Sequence, residues 1–144
     1  RFSQSCVQKL VEFFPDNIIG VKDSSYNLFE KLKIKNFSIL PGSELKLLKG
    51  LQIGCSGIIT ATCNVTARLS RKVYDDFINN KNQIYNNRLC DIRTTFDKFN
   101  LISGLHTFLS EKDESYKNLI PPLSLLNDID KKKLLEELKK LDFN

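Results

Sequence analysis

The chain has 144 residues, the length of one domain, and its 41% hydrophobic and 27% charged residues are ordinary for a soluble globular protein. Its net charge of +5 comes from scattered lysines, and the densest run, Lys131 to Lys133, sits with Glu136 and Glu137 in a helical pattern, a solvated face and not a nucleic-acid stripe. No apolar run approaches the ~20 residues needed to span a membrane.

The chain opens on Arg1 and contains no methionine, so it reads as a piece of a longer polypeptide. "SCVQKLVEFF" puts Cys6, Leu10 and Phe13 at helical spacing, with Ser5 and Gln8 as a capping box, and stops at Pro15. "NIIGV" follows as a continuous apolar run, the pattern of a strand covered on both faces. "FSILPGSE" reads as a second strand and "GCSGIITAT" as a third, so that Ile19, Ile39 and Ile59 mark three strands at equal intervals. Between them lie the short helical candidates "LFEKLKI" and "ELKLLKGLQI", and after them the longer "VTARLSRKVYDDFINN". Strands alternating with helices imply a parallel sheet with right-handed crossovers.

After residue 80 the strands cease. "QIYNNRLCDIRTTFDKFN", "LISGLHTFLSE" and "DKKKLLEELKKL" read as three helices, the last one capped by Asp128 or Asp130. Residues 1–80 are therefore expected to be α/β, about three βα units, and residues 81–144 a C-terminal helical extension. A closed eight-stranded barrel needs ~250 residues, so the pattern is that of the C-terminal portion of a (β/α)8 TIM barrel. A small open α/β sheet, complete in itself, is the other reading.

The four cysteines, Cys6, Cys55, Cys63 and Cys90, have no C-x-x-C spacing, and the single histidine, His106, lies far from them in sequence. Metal binding and a disulfide framework are both disfavoured, and reduced thiols in a cytoplasmic core are expected.

Lys22 ends the first strand, on the face shared by Ile18 and Gly20. In a barrel it would point inward at the C-terminal end of its strand, where barrel enzymes carry their chemistry, and Gly20 beneath it would leave room for its stem or a ligand. Burial favours the neutral amine of a lysine, and a neutral amine attacks a carbonyl to form a Schiff base. The plainer alternative is a lysine that reaches solvent or pairs with Asp23.

"NIIGVKDSS", "ILPGSE" and "GLQIGCSGIITATCNV", in that order and spacing, resemble the pyruvate-dependent dihydrodipicolinate synthase and N-acetylneuraminate lyase family. The likeness covers roughly residues 5–80, and "PPL" at 121–123 before the final helix also fits. The resemblance implies a (β/α)8 barrel with a helical C-terminal extension, commonly a homotetramer, that needs no metal or organic cofactor. Lys22 would be the Schiff-base lysine on the sixth strand. Gly42, Ser43 and Glu44 would end the seventh strand and contact the part of the substrate beyond pyruvate. Ile59, on the eighth, would line the pyruvate pocket with its backbone. The plainer readings are a helix-capping Ser43 in a Pro-Gly turn and a core Ile59, while Asn64 is expected to cap the helix that follows.

The family also uses a tyrosine on the fifth strand and a Gly-Thr-Thr type segment on the second, and neither precedes Lys22 here. Tyr26 follows Lys22 where relatives more often have glycine. The expected activity of the whole protein is a lyase of the class I aldolase type, joining pyruvate to aspartate semialdehyde as a 4-hydroxy-tetrahydrodipicolinate synthase does in lysine biosynthesis. Cleavage of N-acetylneuraminate or of 2-keto-3-deoxy sugar acids is the alternative. A noncatalytic half-barrel that assembles through its sheet edges is a third reading. The 144 residues alone are expected to be inactive.

Overall fold

A computed structural model of the chain describes residues 1–143. Helix α1 (Gln4–Phe13) is capped by Ser3, whose Oγ accepts the Cys6 amide at 3.1 Å, so the cap lies two residues before the expected Ser5. The chain turns at Phe14, whose carbonyl accepts the amides of Asn17 and Ile18, and enters strand β1 (Gly20–Asp23). The strand is shorter than "NIIGV" suggested, and Ile19, 68% exposed, is not covered on both faces.

Strand β2 (Ser38–Pro41) runs parallel to β1, with Gly20 opposite Ser38 and Lys22 opposite Leu40. Gly20 is required by this approach, since a Cβ there would lie 2.8 Å from the Ser38 carbonyl oxygen. Gly20 therefore lets the two strands approach at a point where a side chain would collide with Ser38. The expected third strand does not form a ladder. Its amides at Ser56 and Ile59 donate to Ile39 and Pro41 of β2, both at 3.1 Å, but Gly57 at φ +146 breaks the extended run between them. The sheet thus has two strands and a third, parallel but irregular, segment.

"LFEKLKI" forms a single turn and not a helix. The Leu28 carbonyl accepts from Lys31 and Leu32, and left-handed residues at Tyr26 (φ 55) and Asn36 (φ 56) bracket the loop. Leu28, Phe29 and Leu32 bury there with Val7, Ile39 and Cys55 to form one core. The helix after β2 is real but split into a 3-10 turn (Glu44–Lys46) and α2 (Leu47–Gln52).

Four helices follow: α3 (Cys63–Ile78), α4 (Asn86–Phe96), α5 (Leu101–Ser110) and α6 (Asp128–Lys140). Asn64 does not cap α3. The Cys63 amide bonds Thr60 Oγ1 at 3.1 Å, and Asn64 reaches back to the Ala61 carbonyl. The α6 cap is Asn127, accepting from the Asp130 amide at 2.9 Å. Asp128 and Asp130 sit in the first turn, where negative charge favours the helix dipole. Ile92, Phe96, Leu105, Leu134 and Leu138 form a second core among α4, α5 and α6. A third core, Leu47, Leu51, Val73 and Leu89, joins α2 to α3 and α4, so the later helices are welded to the βα portion.

Tyr26 offers a test of the loop after β1. Its left-handed backbone costs a non-glycine residue about 1–2 kcal/mol. Against that, its ring meets Phe29 edge-on at 6.3 Å and lies under Lys46 Nζ at 5.5 Å, contacts worth about 1–2 kcal/mol together. Glycine adds its own unfolded-state entropy, roughly 0.5–1 kcal/mol. Tyr26→Gly is expected to lower stability by about 1 kcal/mol in urea denaturation. A gain in stability would show that the backbone strain outweighs the ring contacts.

Candidate functional site

The parallel register brings three chain segments level at their C-terminal ends. Lys22 lies opposite Leu40 and Asp23 opposite Pro41, the Gly42 amide donates to the Asp23 carbonyl at 3.0 Å, and the Ile59 amide donates to the Pro41 carbonyl at 3.1 Å. Along β1 the side chains alternate. Val21 packs with the first core and Asp23 is buried, leaving Gly20 and Lys22 on the opposite face.

Lys22 is exposed, not buried as its apolar neighbourhood suggested, because among the described residues no further strand covers that face. Nor does it pair with Asp23. That carboxylate, 2% exposed, turns the other way, and its Oδ2 accepts the amides of Leu28 at 2.8 Å and Phe29 at 2.9 Å. Asp23 thereby fixes the loop that follows the lysine.

The second motif divides. Gly42 remains at the strand ends, where a Cβ would press on Ser24 Cα at 3.1 Å. Ser43 is buried and its Oγ accepts the Leu45 amide at 3.3 Å, capping the 3-10 turn. Glu44 is 0% exposed and points into the protein, away from the open face. Ile59 is about half exposed, and its backbone is tied to β2. So Lys22, Gly42 and the Ile59 backbone come together, while the side chains of Ser43 and Glu44 are occupied elsewhere.

Glu44 anchors a buried polar cluster. Its Oε1 accepts the hydroxyls of Thr60 at 2.7 Å and Thr66 at 2.9 Å, and its Oε2 accepts Arg93 Nη1 at 3.2 Å. Arg93 also donates Nε to both oxygens of Asp97 at 2.9 Å and Nη1 to Thr62 Oγ1 at 3.3 Å. Burial alone would raise the Glu44 pKa, but the hydroxyls of Thr62 and Thr60, its own amide and Thr66 outweigh it and hold the value below that of an ordinary glutamate. Burial opposes the charge on Arg93 likewise, and Asp97 and then Glu44 more than compensate.

Sequence reasoning missed Arg93, Thr60, Thr62 and Thr66. The i,i+4 spacing of Arg93 and Asp97 was visible, but nothing local links Arg93 to a glutamate 49 positions earlier. All four cysteines are unpaired thiols, and among the described residues no three His, Cys, Asp or Glu side chains gather as a metal site. Among those residues no helix is long and apolar enough to cross a membrane.

Comparison with known proteins settles the family. The sequence model of the Dihydrodipicolinate synthetase family matches residues 2–141. The chain belongs to this family. Among curated relatives, the 4-hydroxy-tetrahydrodipicolinate synthase of Buchnera aphidicola subsp. Cinara cedri is 36% identical over 72 residues, 46% of this chain and 24% of that enzyme. The Archaeoglobus fulgidus enzyme of the same name is 32% identical over 77 residues, 50% of this chain and 26% of its own. The chain therefore aligns with about a quarter of each of these synthases. The crystal structure of DHDPS from Cyanidioschyzon merolae with lysine bound superposes with a TM-score of 0.85 at 16% identity, over 99% of this chain and 50% of that one. A monomeric dihydrodipicolinate synthase variant gives 0.84 at 13% identity, over 98% and 50%. At these identities the likeness establishes the fold, and the chain spans about half of each solved relative. The family fold thus agrees with the expected partial barrel, built here from two strands, the irregular third segment and their helices.

Proposed function

We propose that this chain supplies the Schiff-base half of a pyruvate-dependent aldolase of the 4-hydroxy-tetrahydrodipicolinate synthase kind. What supports the reading is one arrangement: Lys22 stands at the C-terminal end of β1, on the face turned away from the helices, level with Gly42 and the Ile59 backbone. In a closed barrel that face is the interior, and its C-terminal end is where barrel enzymes act.

In the proposed reaction, the Lys22 amine attacks C2 of pyruvate and the carbonyl oxygen leaves as water, giving a protonated imine. The imine draws electrons from C3, which loses a proton to become the enamine carbon. That carbon attacks the aldehyde carbon of aspartate semialdehyde, forming the C–C bond while the aldehyde oxygen takes up a proton. The amine of the semialdehyde then adds to the imine carbon and expels the Lys22 amine, closing the ring and freeing the lysine. The covalent imine is itself the electron sink, so no metal or organic cofactor enters the scheme. The Ile59 backbone would border the pyruvate and Gly42 the part of the substrate beyond it, while Ser43 and Glu44 would shape that border from behind. The proton relay and the carboxylate cradle would come from residues outside these 144. Tyr26 is not offered as the relay, since its ring is engaged with Phe29 and Lys46. Residues 1–80 would form barrel wall and residues 81–144 the helical cover. The assembled protein would work as a homo-oligomer, a tetramer by resemblance, in the cytoplasm, a location that suits its unpaired thiols.

Borohydride reduction in the presence of pyruvate tests the reading on the polypeptide that carries the rest of the barrel. The expected result is one pyruvate-derived mass increment on the peptide containing Lys22. Folded protein that shows no increment there would instead fit the noncatalytic assembly module.

A further inference from the structure

We propose that Glu44 is a positioning residue, whose carboxylate sets the Thr60 hydroxyl and through it holds the Ile59–Thr62 backbone against the end of β2. The inference rests on the aldolase reading only for its meaning, namely that this backbone borders the pyruvate.

A carboxylate can only accept hydrogen bonds, so the Thr60 hydroxyl proton, 2.7 Å from Glu44 Oε1, is committed to it. Thr60 Oγ1 then accepts the Cys63 amide at 3.1 Å, with Thr62 Oγ1 at the same distance. One hydroxyl thereby joins the buried glutamate to the first amide of α3 and pins the turn between Ile59 and that helix. On the near side of the turn the Ile59 amide reaches the Pro41 carbonyl at 3.1 Å, level with Asp23 and next to Lys22. On the far side Thr66, one turn into α3, holds the same Glu44 oxygen at 2.9 Å. Arg93 of α4 engages the other oxygen and also Thr62 Oγ1, so the helices after residue 80 brace the same turn.

The arrangement explains an acidic residue with no exposure at the end of a strand that borders the open face. Its role is to act on that face through Thr60, without touching substrate.

Amide hydrogen exchange, resolved by residue in the 144-residue protein, tests the proposal without any pyruvate chemistry. Failure of the aldolase reading would therefore leave it standing, and its own failure would leave the aldolase reading intact. Thr60→Val breaks the link while leaving the Glu44 and Arg93 pair in place. The expected result is at least tenfold faster exchange at the Ile59 amide, with Val73 and Leu89 in the packed helices unchanged. Thr60→Ser restores the hydroxyl and is expected to return Ile59 to wild-type protection. Glu44→Gln, which offers one acceptor oxygen in place of two, is expected to speed Ile59 exchange at least threefold. Wild-type protection of Ile59 in either Thr60→Val or folded Glu44→Gln would overturn the proposal. So would loss of protection at Ile59 that merely keeps step with Val73 and Leu89, the mark of a global loss of stability. If Glu44→Gln does not fold, the two Thr60 variants decide the matter.

Discussion

Arg93→Met is expected to destabilise the fold by about 3 kcal/mol, the lower end of the roughly 3–5 kcal/mol seen when one partner of a buried ion pair is removed. The reason is asymmetry. Arg93 is 10% exposed and Glu44 0%, so the substitution strands a carboxylate that water cannot reach. The hydroxyls of Thr62, Thr60 and Thr66 and its own amide still favour the Glu44 carboxylate, which is why the lower end applies. Asp97, 37% exposed, can turn to solvent and adds little. A single domain has only about 5–15 kcal/mol in hand, so the shift in a urea midpoint should be plain. Removing both charges, with Glu44→Leu and Arg93→Met together, is expected to be less damaging than the single change, because no buried charge is then left unpaired. A loss under about 1 kcal/mol for Arg93→Met alone would mean that the pair is not sequestered as described.

The same cluster sets a dependence on pH. The folded Glu44 carboxyl has a pKa below that of the unfolded chain, so the native state binds its proton more weakly. Its contribution is complete above the ordinary glutamate range and is lost as pH falls towards the folded value. Urea midpoints measured on the acid side of neutrality should fall with pH in the wild type. Glu44→Leu should flatten that part of the profile.

How far the sequence reaches is best seen residue by residue. Helices α3 to α6 were legible because apolar residues recur at the helical period over ten or more positions, and each buries its stripe in a core. β1 and β2 were legible as short apolar runs ending in motifs, whereas the grouping of Lys22, Gly42 and Ile59 came only from the family resemblance. The third strand was not, because a glycine in "CSGII" is equally compatible with an extended run, and only its φ of +146 decides. "LFEKLKI" has helical spacing, yet Asp23 captures the amides of Leu28 and Phe29 and fixes a single turn instead. The direction of Glu44 was hidden for a different reason. A side chain in a 3-10 turn follows no period that could be read forward, and its partners lie 16, 22 and 49 positions away. The expected burial of Lys22 assumed neighbouring strands, and the described residues bring none to its face.

Lys22→Arg is expected to abolish the pyruvate adduct at that position while leaving stability unchanged to within about 0.5 kcal/mol. Arginine keeps the positive charge and reaches at least as far, so any loss cannot be laid to electrostatics at the strand end. A guanidinium does not give up its proton, and without a free lone pair on nitrogen no imine forms. The stability half is read on the 144 residues, where Lys22 is exposed on the open face of β1 and no core contact is disturbed. The adduct half is read on the polypeptide that carries the rest of the barrel. The other lysines of the chain provide the internal control, because all can form a slow, unselective adduct at high pyruvate. If Lys22 is the reacting amine, its peptide loses the increment in the variant and theirs do not change. If the increment in the wild type is already spread evenly over surface lysines, and Lys22→Arg only subtracts one share, the level strand ends are scaffold, and the chain is better understood as an assembly module.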